Sequence, residues 1–318
     1  MSARRVAVTG ASGFIGSALA AYLTARGDEV VRLVRRIPTH PRERTWEPTP
    51  GGLDPAALED VDAVVHLAAA GVGDRRWTPA YKELVVRSRV AGTAAVAESI
   101  AATGRPIRFV CGSAVGYYGD RGDETLTEQS GPGTGFLAEV VRAWEAAAEP
   151  ASAAGAPVAL ARHGLVMGPD GGAFARVLRL SRWGLGGPLG NGRQYWPWIT
   201  LHDSVRALSH LIDHPDLTGP VNVVGPDPRP QKEVAAAIGR ALHRPAVVPA
   251  PAFALRIALG EFADDILGSQ RVRPVALAHS GFVFDHPTLA AAVAWPVSYT
   301  HLRAHETDSY LVCRLLLE

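Results

Sequence analysis

The chain has 318 residues, of which 47% are hydrophobic and 20% are charged, and its formal net charge is +1. This composition suits one large globular domain or two smaller ones, and it excludes a disordered chain, a collagen-like fibre and a disulfide scaffold. The near balance of charge gives no electrostatic reason to expect a nucleic acid or an anionic membrane as a partner. Because Lys82 and Lys232 are the only lysines, arginine supplies nearly all of the positive charge, and a single arginine is a weak functional signal.

Cysteine usage and the start of the chain predict the compartment. Cys111 and Cys313 are the only cysteines, which favours a reducing environment. The first residues lead directly into a strand-like run without an apolar signal region. No stretch approaches the roughly 18 apolar residues of a membrane span. We therefore expect a cytoplasmic protein without a membrane segment.

The first half of the chain alternates short apolar runs with helical patterns, which is typical of a parallel sheet covered by helices. Apolar residues at helical spacing predict a first helix that begins near Ile15 and ends at Gly27. The other predicted elements are strands at 6–9, 29–34, 63–67, 108–111, 158–162 and 221–224, and helices at 79–102 and 135–154. The expected fold class is α/β, with a doubly wound, Rossmann-like parallel sheet and a smaller C-terminal α/β lobe.

The alternation of strand-like and helix-like segments ends after Gly164, where glycines and prolines become frequent. We predict a dinucleotide-binding Rossmann domain at 1–167, completed by about 195–225, and a substrate-side lobe formed by 168–194 and 226–295. The segment 296–318 loses the Ala/Gly/Pro bias and resembles a translated sequencing-adapter tail, so we interpret it as non-native. Its two histidines and its cysteine match no standard zinc spacing, and no metal site is predicted.

A glycine-rich turn between the first strand and the first helix is the strongest local motif. Gly10, Gly13 and Gly16 would allow a tight turn, a close approach of a pyrophosphate and close packing of helix on sheet. The helix N-terminus then offers N–H groups to the phosphates. We assign Phe14 and Ile15, which open the helix, to the same cofactor site. The alternative is a plain glycine-rich turn in an α/β protein.

Two arginines follow the second strand, about 20 residues beyond the glycines. An NAD enzyme would carry an acid there for the ribose 2′-hydroxyl. Arg35 and Arg36 stand there instead, and guanidinium groups suit a 2′-phosphate. The sequence therefore favours NADP(H) as cofactor. The alternative is a pair of surface arginines in an arginine-rich chain.

Three early segments carry a family resemblance: VTGASGFIG at 8–16, DAVVHLAA at 62–69 and SAVGYYG at 113–119. They resemble the extended short-chain dehydrogenase/reductase superfamily, and later stretches at 162–168 and 186–199 are similar to its atypical epimerase-like branch with a C-terminal domain of unknown function. The resemblance implies that Leu67 and Ala68 line the adenosine side of the cofactor and that Arg89 and Val115 lie along it. Strand core and a solvated helix face are the alternatives for Leu67 with Ala68 and for Arg89.

The resemblance also shows what is missing. The superfamily uses a tyrosine as general acid/base and a lysine four residues later that lowers the pKa of that tyrosine. No Tyr-x-x-x-Lys occurs in this chain. Phe136 stands in the place of the tyrosine, Val140 in that of the lysine and Ala114 in that of the usual serine or threonine.

Substitutes for these residues follow the same strand. Ser113, Tyr117 and Tyr118 are the predicted catalytic candidates, since ligands of doubly wound folds lie at strand ends. The alternative is a tyrosine that packs over the cofactor. Further candidates are Arg162, His163, His202 and Asp203, and for His202 with Asp203 a helix start capped by the aspartate is the favoured alternative. The chain also carries an unusual aromatic set (Trp77, Trp144, Trp183, Tyr195, Trp196, Trp198), whose last members, with 184–192, suggest an apolar cleft. The alternative is an aromatic core between two lobes.

Two functions from different classes remain open. The first is an NADP(H)-dependent oxidoreductase or epimerase-like enzyme that acts on a small carbonyl or sugar-type substrate with a non-standard acid/base. The second is a non-catalytic regulator or scaffold that senses NADPH. We expect a small-molecule substrate, no nucleic acid, no membrane, and a homodimer formed through the helices at 79–102 and 135–154.

Overall fold

The computed structural model describes residues 3–169 and 171–297. Within these ranges the strands are β1 (Arg5–Thr9), β2 (Glu29–Val34), β3 (Glu43–Thr45), β4 (Ala63–His66), β5 (Arg108–Ala114), β6 (Thr125–Leu126), β7 (Val158–His163), β8 (Leu165–Met167), β9 (Tyr195–Trp196), β10 (Trp198–Thr200), β11 (Gly219–Val223), β12 (Arg229–Pro230) and β13 (Arg271–Val272).

The helices are α1 (Phe14–Arg26), α2 (Pro79–Ala102), α3 (Phe136–Ala146), α4 (Glu149–Ala153), α5 (Gly172–Arg182), α6 (Leu201–Asp213), α7 (Gln231–Ala241), α8 (Ala252–Leu259), α9 (Phe262–Leu267) and α10 (Val275–His279). Short 3-10 turns cover Pro55–Leu58 and Val115–Tyr118. The described chain ends in helical residues 289–297.

Seven strands form one parallel sheet in the order β11-β7-β5-β4-β1-β2-β3. The chain runs outward from β1 to β3, returns to β4 on the other side of β1, and continues to β11. The predicted doubly wound fold is therefore confirmed. The switch of direction lies between β1 and β4, and the crevice at their carboxyl ends is where such folds bind ligands.

Alternation along the strands gives the sheet two separate cores. Val6 and Val8 of β1 face α1 and α6, whereas Ala7 between them faces the side covered by α2, α3 and α4. This is the period of two expected of an extended chain. Both faces of the sheet are covered, which explains why its central strands β1 and β4 are buried almost throughout rather than at every second residue.

The C-terminal lobe has a core of its own. Phe174 and Leu178 of α5, Ile238 of α7 and Trp198 of β10 pack together with the final helix, which contributes Val293. The lobe lies at the carboxyl end of the sheet, because its first segment follows β7 and β8 and its second segment follows β11. Its position above that edge makes it one wall of the crevice.

One predicted element differs from the structure. The helix expected at 135–154 is divided into α3 and α4, since Pro150 lacks the N–H that an unbroken helix would bond to Ala146. The predicted non-native tail, 296–318, lies outside the described residues from 298 onward. No helix of the described part is long and apolar enough to cross a membrane.

Candidate active site

The glycine-rich turn forms a cradle at the end of β1. Gly10 adopts a positive φ of 65°, and a Cβ there would lie 3.0 Å from the amide nitrogen of Ala68 on the neighbouring strand connection. The Gly13 N–H donates to the Gly10 carbonyl at 2.8 Å and closes the turn. Gly10 demands glycine, because a side chain would be strained at its positive φ and would crowd the close approach of the two strand ends.

Helix α1 opens directly from this turn. Gly13 is its N-cap and offers no side-chain hydrogen bond, and the first turn contains no acid. A Cβ on Gly16 would overlap the Gly10 carbonyl oxygen, so this residue allows the helix to start against the turn. The N-terminal N–H groups thus lie beside a glycine cradle, an arrangement that suits a pyrophosphate.

The two other residues assigned to the motif have separate surroundings. Ile15 is half-buried and packs against the core between α1 and the sheet. The Phe14 ring lies under the loop that begins the C-terminal lobe, and Gly168 and Gly171 leave the room it needs. Phe14 therefore links the cofactor turn to the C-terminal lobe.

Thr9 joins the ends of β1 and β4. Its Oγ1 accepts hydrogen bonds from the backbone N–H groups of Leu67 at 3.0 Å and Ala68 at 3.2 Å, and it lies 2.8 Å from Nδ1 of His66. With both acceptor positions filled, the hydroxyl donates to Nδ1, which leaves the ring proton on Nε2. Leu67 and Ala68 are half-buried and face Gly10 across the crevice, so they line it rather than belong wholly to the core.

The arginines that follow β2 have different partners. Arg36 is exposed but forms a two-bonded ion pair with Glu43 of β3, with Nη2–Oε1 at 2.6 Å and Nη1–Oε2 at 2.9 Å. The hydrogen bonds from Arg36 hold the pKa of Glu43 at about 2. The Arg35 side chain is also exposed and makes no hydrogen bond or ion pair with any residue that the structure describes. Arg35 is thus free to bind an anion.

Arg89 is buried rather than solvated. Its Nη1 donates to the carbonyl oxygens of Ala70 at 2.9 Å and Val85 at 3.1 Å, and its Cζ lies 5.0 Å from the Trp144 ring centre. Burial without a carboxylate partner lowers the pKa of Arg89 to about 10. The guanidinium fixes the connection after β4. Val115 is buried in the turn after β5, at the same edge of the sheet.

A buried polar network occupies the ends of β5 and β7. Arg162 makes two bonds of 2.7 Å to the Glu145 carboxylate and one of 3.0 Å to the Tyr118 hydroxyl. The Ser113 hydroxyl donates to Glu145 at 2.6 Å, and the Tyr118 hydroxyl donates to Oδ1 of Asn222 at 2.8 Å. Sequence reasoning missed Glu145 and Asn222, because no local pattern distinguishes them from other polar residues of a helix and a strand.

This network determines what the three catalytic candidates can do. Burial raises the pKa of Tyr118, and its hydroxyl is fully engaged. Burial opposes the charge of Arg162, yet its bonds to Glu145 hold the pKa of Arg162 above its ordinary value. Tyr117 is half-buried, its ring lies 3.5 Å from Cζ of Arg162, and its hydroxyl bonds to no described residue. Of the three, only Tyr117 retains a free hydroxyl.

An aromatic cluster fills the place of the usual acid/base pair. Phe136 packs edge-to-face on Trp77, with ring centres 4.9 Å apart, and Phe262 of α9 lies 5.3 Å from the same ring. Val140 is buried in this cluster. Nζ of Lys82 lies 5.0 Å from the Phe136 ring centre and pairs with Glu261.

The remaining candidates are apart from this site. Asp203 is buried and accepts the backbone N–H groups of Asp285 and His286, while Thr200 caps α6. The predicted helix cap at Asp203 is therefore wrong, since its carboxylate holds a segment of the C-terminal lobe. His202 bonds Asp285 at 2.7 Å. Arg206 pairs with Asp203 and Asp285 and so supplies the positive charge that a metal ion would otherwise bring to the group of His202 and these two acids.

His163 and the aromatic residues are likewise dispersed. The His163 ring bonds the Ala161 carbonyl, and burial lowers the pKa of His163 to about 4. Trp144 lies in a sheet core, Trp198 in the core of the C-terminal lobe, and Trp183 is 81% exposed. The predicted aromatic set does not form one cleft.

A Rossmann-type dinucleotide-binding protein with an added C-terminal lobe is the class that this fold and glycine cradle define. The chain belongs to the NAD dependent epimerase/dehydratase family, which matches residues 6–225, and residues 250–295 match a domain of unknown function, DUF1731. The resemblance to extended short-chain dehydrogenases with such a C-terminal domain is thereby confirmed.

Several relatives span most of the chain. An epimerase family protein of Mycobacterium leprae is 45% identical over 291 residues, covering 91% of this chain and 94% of the relative. The crystal structure of the human epimerase family protein SDR39U1 with NADPH has a TM-score of 0.83 and 31% identity, and covers 92% of this chain and 99% of that one. A nucleoside-diphosphate sugar epimerase of Corynebacterium glutamicum has a TM-score of 0.77 and 34% identity, covering 94% of this chain and 59% of that one.

Proposed function

We propose that this protein is an NADP(H)-dependent oxidoreductase or epimerase-like enzyme that acts on a small carbonyl or sugar-type substrate. The observation that carries the proposal is the glycine cradle with an uncapped helix N-terminus beside it and the unpaired Arg35 at the end of the neighbouring strand. The NADPH in the similar human structure supports the same cofactor. When bound, a reduced nicotinamide supplies a hydride to a carbonyl carbon.

The residues of the crevice fit this cofactor from one end to the other. The first N–H groups of α1 would bind the pyrophosphate, and Arg35 would bind the 2′-phosphate with charge-assisted hydrogen bonds. Leu67 and Ala68 would cover the adenosine side. The ends of β5 and β7, held by the Arg162–Glu145 pair, would form the floor beneath the substrate. Of the predicted catalytic residues, Tyr117 retains a hydroxyl that can contact a ligand.

Titration of NADPH and NADH, followed by nicotinamide fluorescence, tests the proposal. We expect NADPH to bind at least about tenfold more tightly, a difference of roughly 1.4 kcal/mol. A screen of carbonyl compounds and nucleotide sugars with NADPH would then seek the substrate. Failure of both cofactors to bind would contradict the proposal.

The second candidate is a non-catalytic regulator that closes on NADPH. The aromatic cluster supports it, since Phe136 and Val140 leave the usual acid/base positions apolar. A ligand shifts such a closure only through its differential affinity for the open and closed states. Tight NADPH binding without turnover of any compound in the screen would favour this candidate over the enzyme.

We also propose that two copies pair through α2 and α3. The two helices lie side by side on one face of the sheet, and Leu84 of α2 is 37% exposed on their outer surface. Light scattering of the purified protein should give twice the mass of one chain, and Leu84→Glu should shift it toward the monomer. A monomeric wild-type protein would contradict this pairing.

A further inference from the structure

Lys82 is an isolated lysine in a chain that otherwise uses arginine for positive charge, and it stands in the first turn of α2. A cation is unfavourable there, because the N-terminal end of a helix carries partial positive charge. Helix α2 follows β4, so its first turn lies at the carboxyl edge of the sheet, next to the crevice. Residues that are unfavourable for the local helix but lie next to a ligand crevice are commonly functional.

The C-terminal lobe reaches over this lysine. The Lys82 ammonium pairs with Glu261 and lies above the rings of Trp77 and Phe136, at 5.8 Å and 5.0 Å from their centres. Further contacts between the lobe and the connection after β4 hold the two sides together: Arg176 donates to the Gly73 carbonyl at 2.7 Å, and Phe262 packs on Trp77. Ligand sites commonly form where two parts of a chain meet in this way.

Part of the Lys82 side chain remains accessible to solvent. Its side chain is 28% exposed, whereas that of Glu261 is 64% exposed. Asp265 lies on the same helix as Phe262, and the positive charge of Lys82 acts to lower the pKa of its carboxyl group. Asp265 is exposed overall, but partial burial of its carboxyl group raises the pKa of Asp265 to about 6, and the negative charge of neighbouring Asp264 adds to this rise. This carboxyl group therefore lies within electrostatic range of the Lys82 ammonium, which pairs directly with Glu261.

We propose that Lys82 binds the reacting oxygen of the substrate and gives it a proton, in place of the absent tyrosine. This inference rests on the proposed function. The Nζ–H bond breaks and leaves its electron pair on nitrogen. The proton bonds to the carbonyl oxygen as the carbon accepts a hydride from the reduced nicotinamide, which is oxidised. The neutral amine then regains a proton from solvent, which reaches the exposed part of the side chain.

The two lysines of this chain make the proposal directly measurable. Reductive methylation with ¹³C-formaldehyde labels Lys82, Lys232 and the terminal amine, and NMR then follows each signal through a pH titration. Lys232 is exposed on α7 and serves as the internal control, and Lys232→Met assigns the signals even where Lys82→Met does not fold. The titration is run on the full chain with saturating NADP⁺ and with saturating NADPH.

NADP⁺ carries a positive charge on the nicotinamide ring, whereas NADPH has gained a hydride there and its ring is neutral. A titratable group close to that ring must therefore respond to the change of charge. We expect the pKa of Lys82 to be lower by about half a unit or more with NADP⁺ than with NADPH. The charged and titratable neighbours of Lys82, namely Glu261 at the N-cap of α9, Asp265 of α9 and Tyr81 of α2, are present in both complexes. Lys232 should titrate equally in both.

Equal titration of Lys82 in the two complexes would overturn this inference while leaving the proposed function intact, and Tyr117 would become the leading proton donor. Absence of NADPH binding in the fluorescence titration would overturn both. A lower pKa of Lys82 with NADP⁺, with Lys232 unchanged, would support the inference.

Discussion

The guanidinium of Arg36, just beyond the end of β2, donates two parallel hydrogen bonds to the carboxylate of Glu43, the first residue of β3. The same two-bonded geometry is the one by which an arginine would hold a phosphate. Arg36 is therefore already occupied by an internal anion, whereas its neighbour Arg35 is not. Adjacent residues that look equivalent in the sequence thus have different capacities for the cofactor.

Arg35→Ala should remove most of the preference for NADPH over NADH. We expect its NADPH affinity to fall about tenfold or more, because the 2′-phosphate loses a charge-assisted partner, while its NADH affinity stays unchanged. Arg36→Ala should have a smaller effect. Fluorescence titration measures both, and Arg42→Ala, which removes another exposed arginine, is the control. A larger loss in Arg36→Ala would reverse the assignment.

Gly16→Ala should weaken cofactor binding strongly, because the added methyl would overlap the Gly10 carbonyl and push α1 away from the turn. We expect at least about a tenfold loss of NADPH affinity together with a lower melting temperature. Gly131→Ala is the matched control, since a Cβ there meets nothing within 4 Å. Unchanged binding in Gly16→Ala would show that the turn has room to adapt and that the cradle is not formed as described.

Glu145→Gln should destabilise the protein by about 3–5 kcal/mol, because it leaves the buried Arg162 charge without its partner. Urea unfolding measures the change in the free energy of unfolding. The double variant Glu145→Leu/Arg162→Met should recover part of that loss. Asp264→Asn breaks the exposed pair with Arg256 and should change stability by less than about 1 kcal/mol. Equal effects at the two pairs would contradict the role of burial.

Stability should fall as the pH is lowered from 6.5 toward 4. Burial lowers the pKa of both His66 and His163 to about 4 in the folded protein, so the unfolded chain takes up protons in this range and the folded chain does not. Each histidine contributes on the order of 2–3 kcal/mol to this loss. Thermal unfolding across the range measures it.

His66→Asn should flatten this pH dependence, since the amide oxygen can accept the Thr9 hydroxyl but does not titrate. His279→Gln, at an exposed position, should leave the dependence as in the wild type. The depressed pKa of Glu43, about 2, acts at lower pH, because its contribution is lost only as the pH falls below about 4.5. An unchanged slope in His66→Asn would contradict the assignment to that ring.

The parts of this protein that the sequence predicted are those encoded locally. The glycine spacing defines the cradle because Gly10, Gly13 and Gly16 act within one turn. The apolar runs define the sheet because its central strands β1 and β4 are buried on both faces. The pairing of Arg36 with Glu43 could not be predicted, since it depends on β3, a three-residue strand without a pattern. The Arg162–Glu145 pair depends on how α3 packs on β7, which no local spacing reveals.

The completion of the main sheet by β11 has a consequence for biosynthesis. Its parallel pairing with β7 joins segments about 60 residues apart in sequence, and the first segment of the C-terminal lobe, with α5, is encoded between them. During synthesis, the sheet of the nucleotide-binding half therefore remains incomplete until residue 223 has left the ribosome. Until then β7 is an unpaired edge strand. The order of synthesis thus exposes this edge to mispairing, and a chaperone or rapid elongation through this stretch would shorten that exposure.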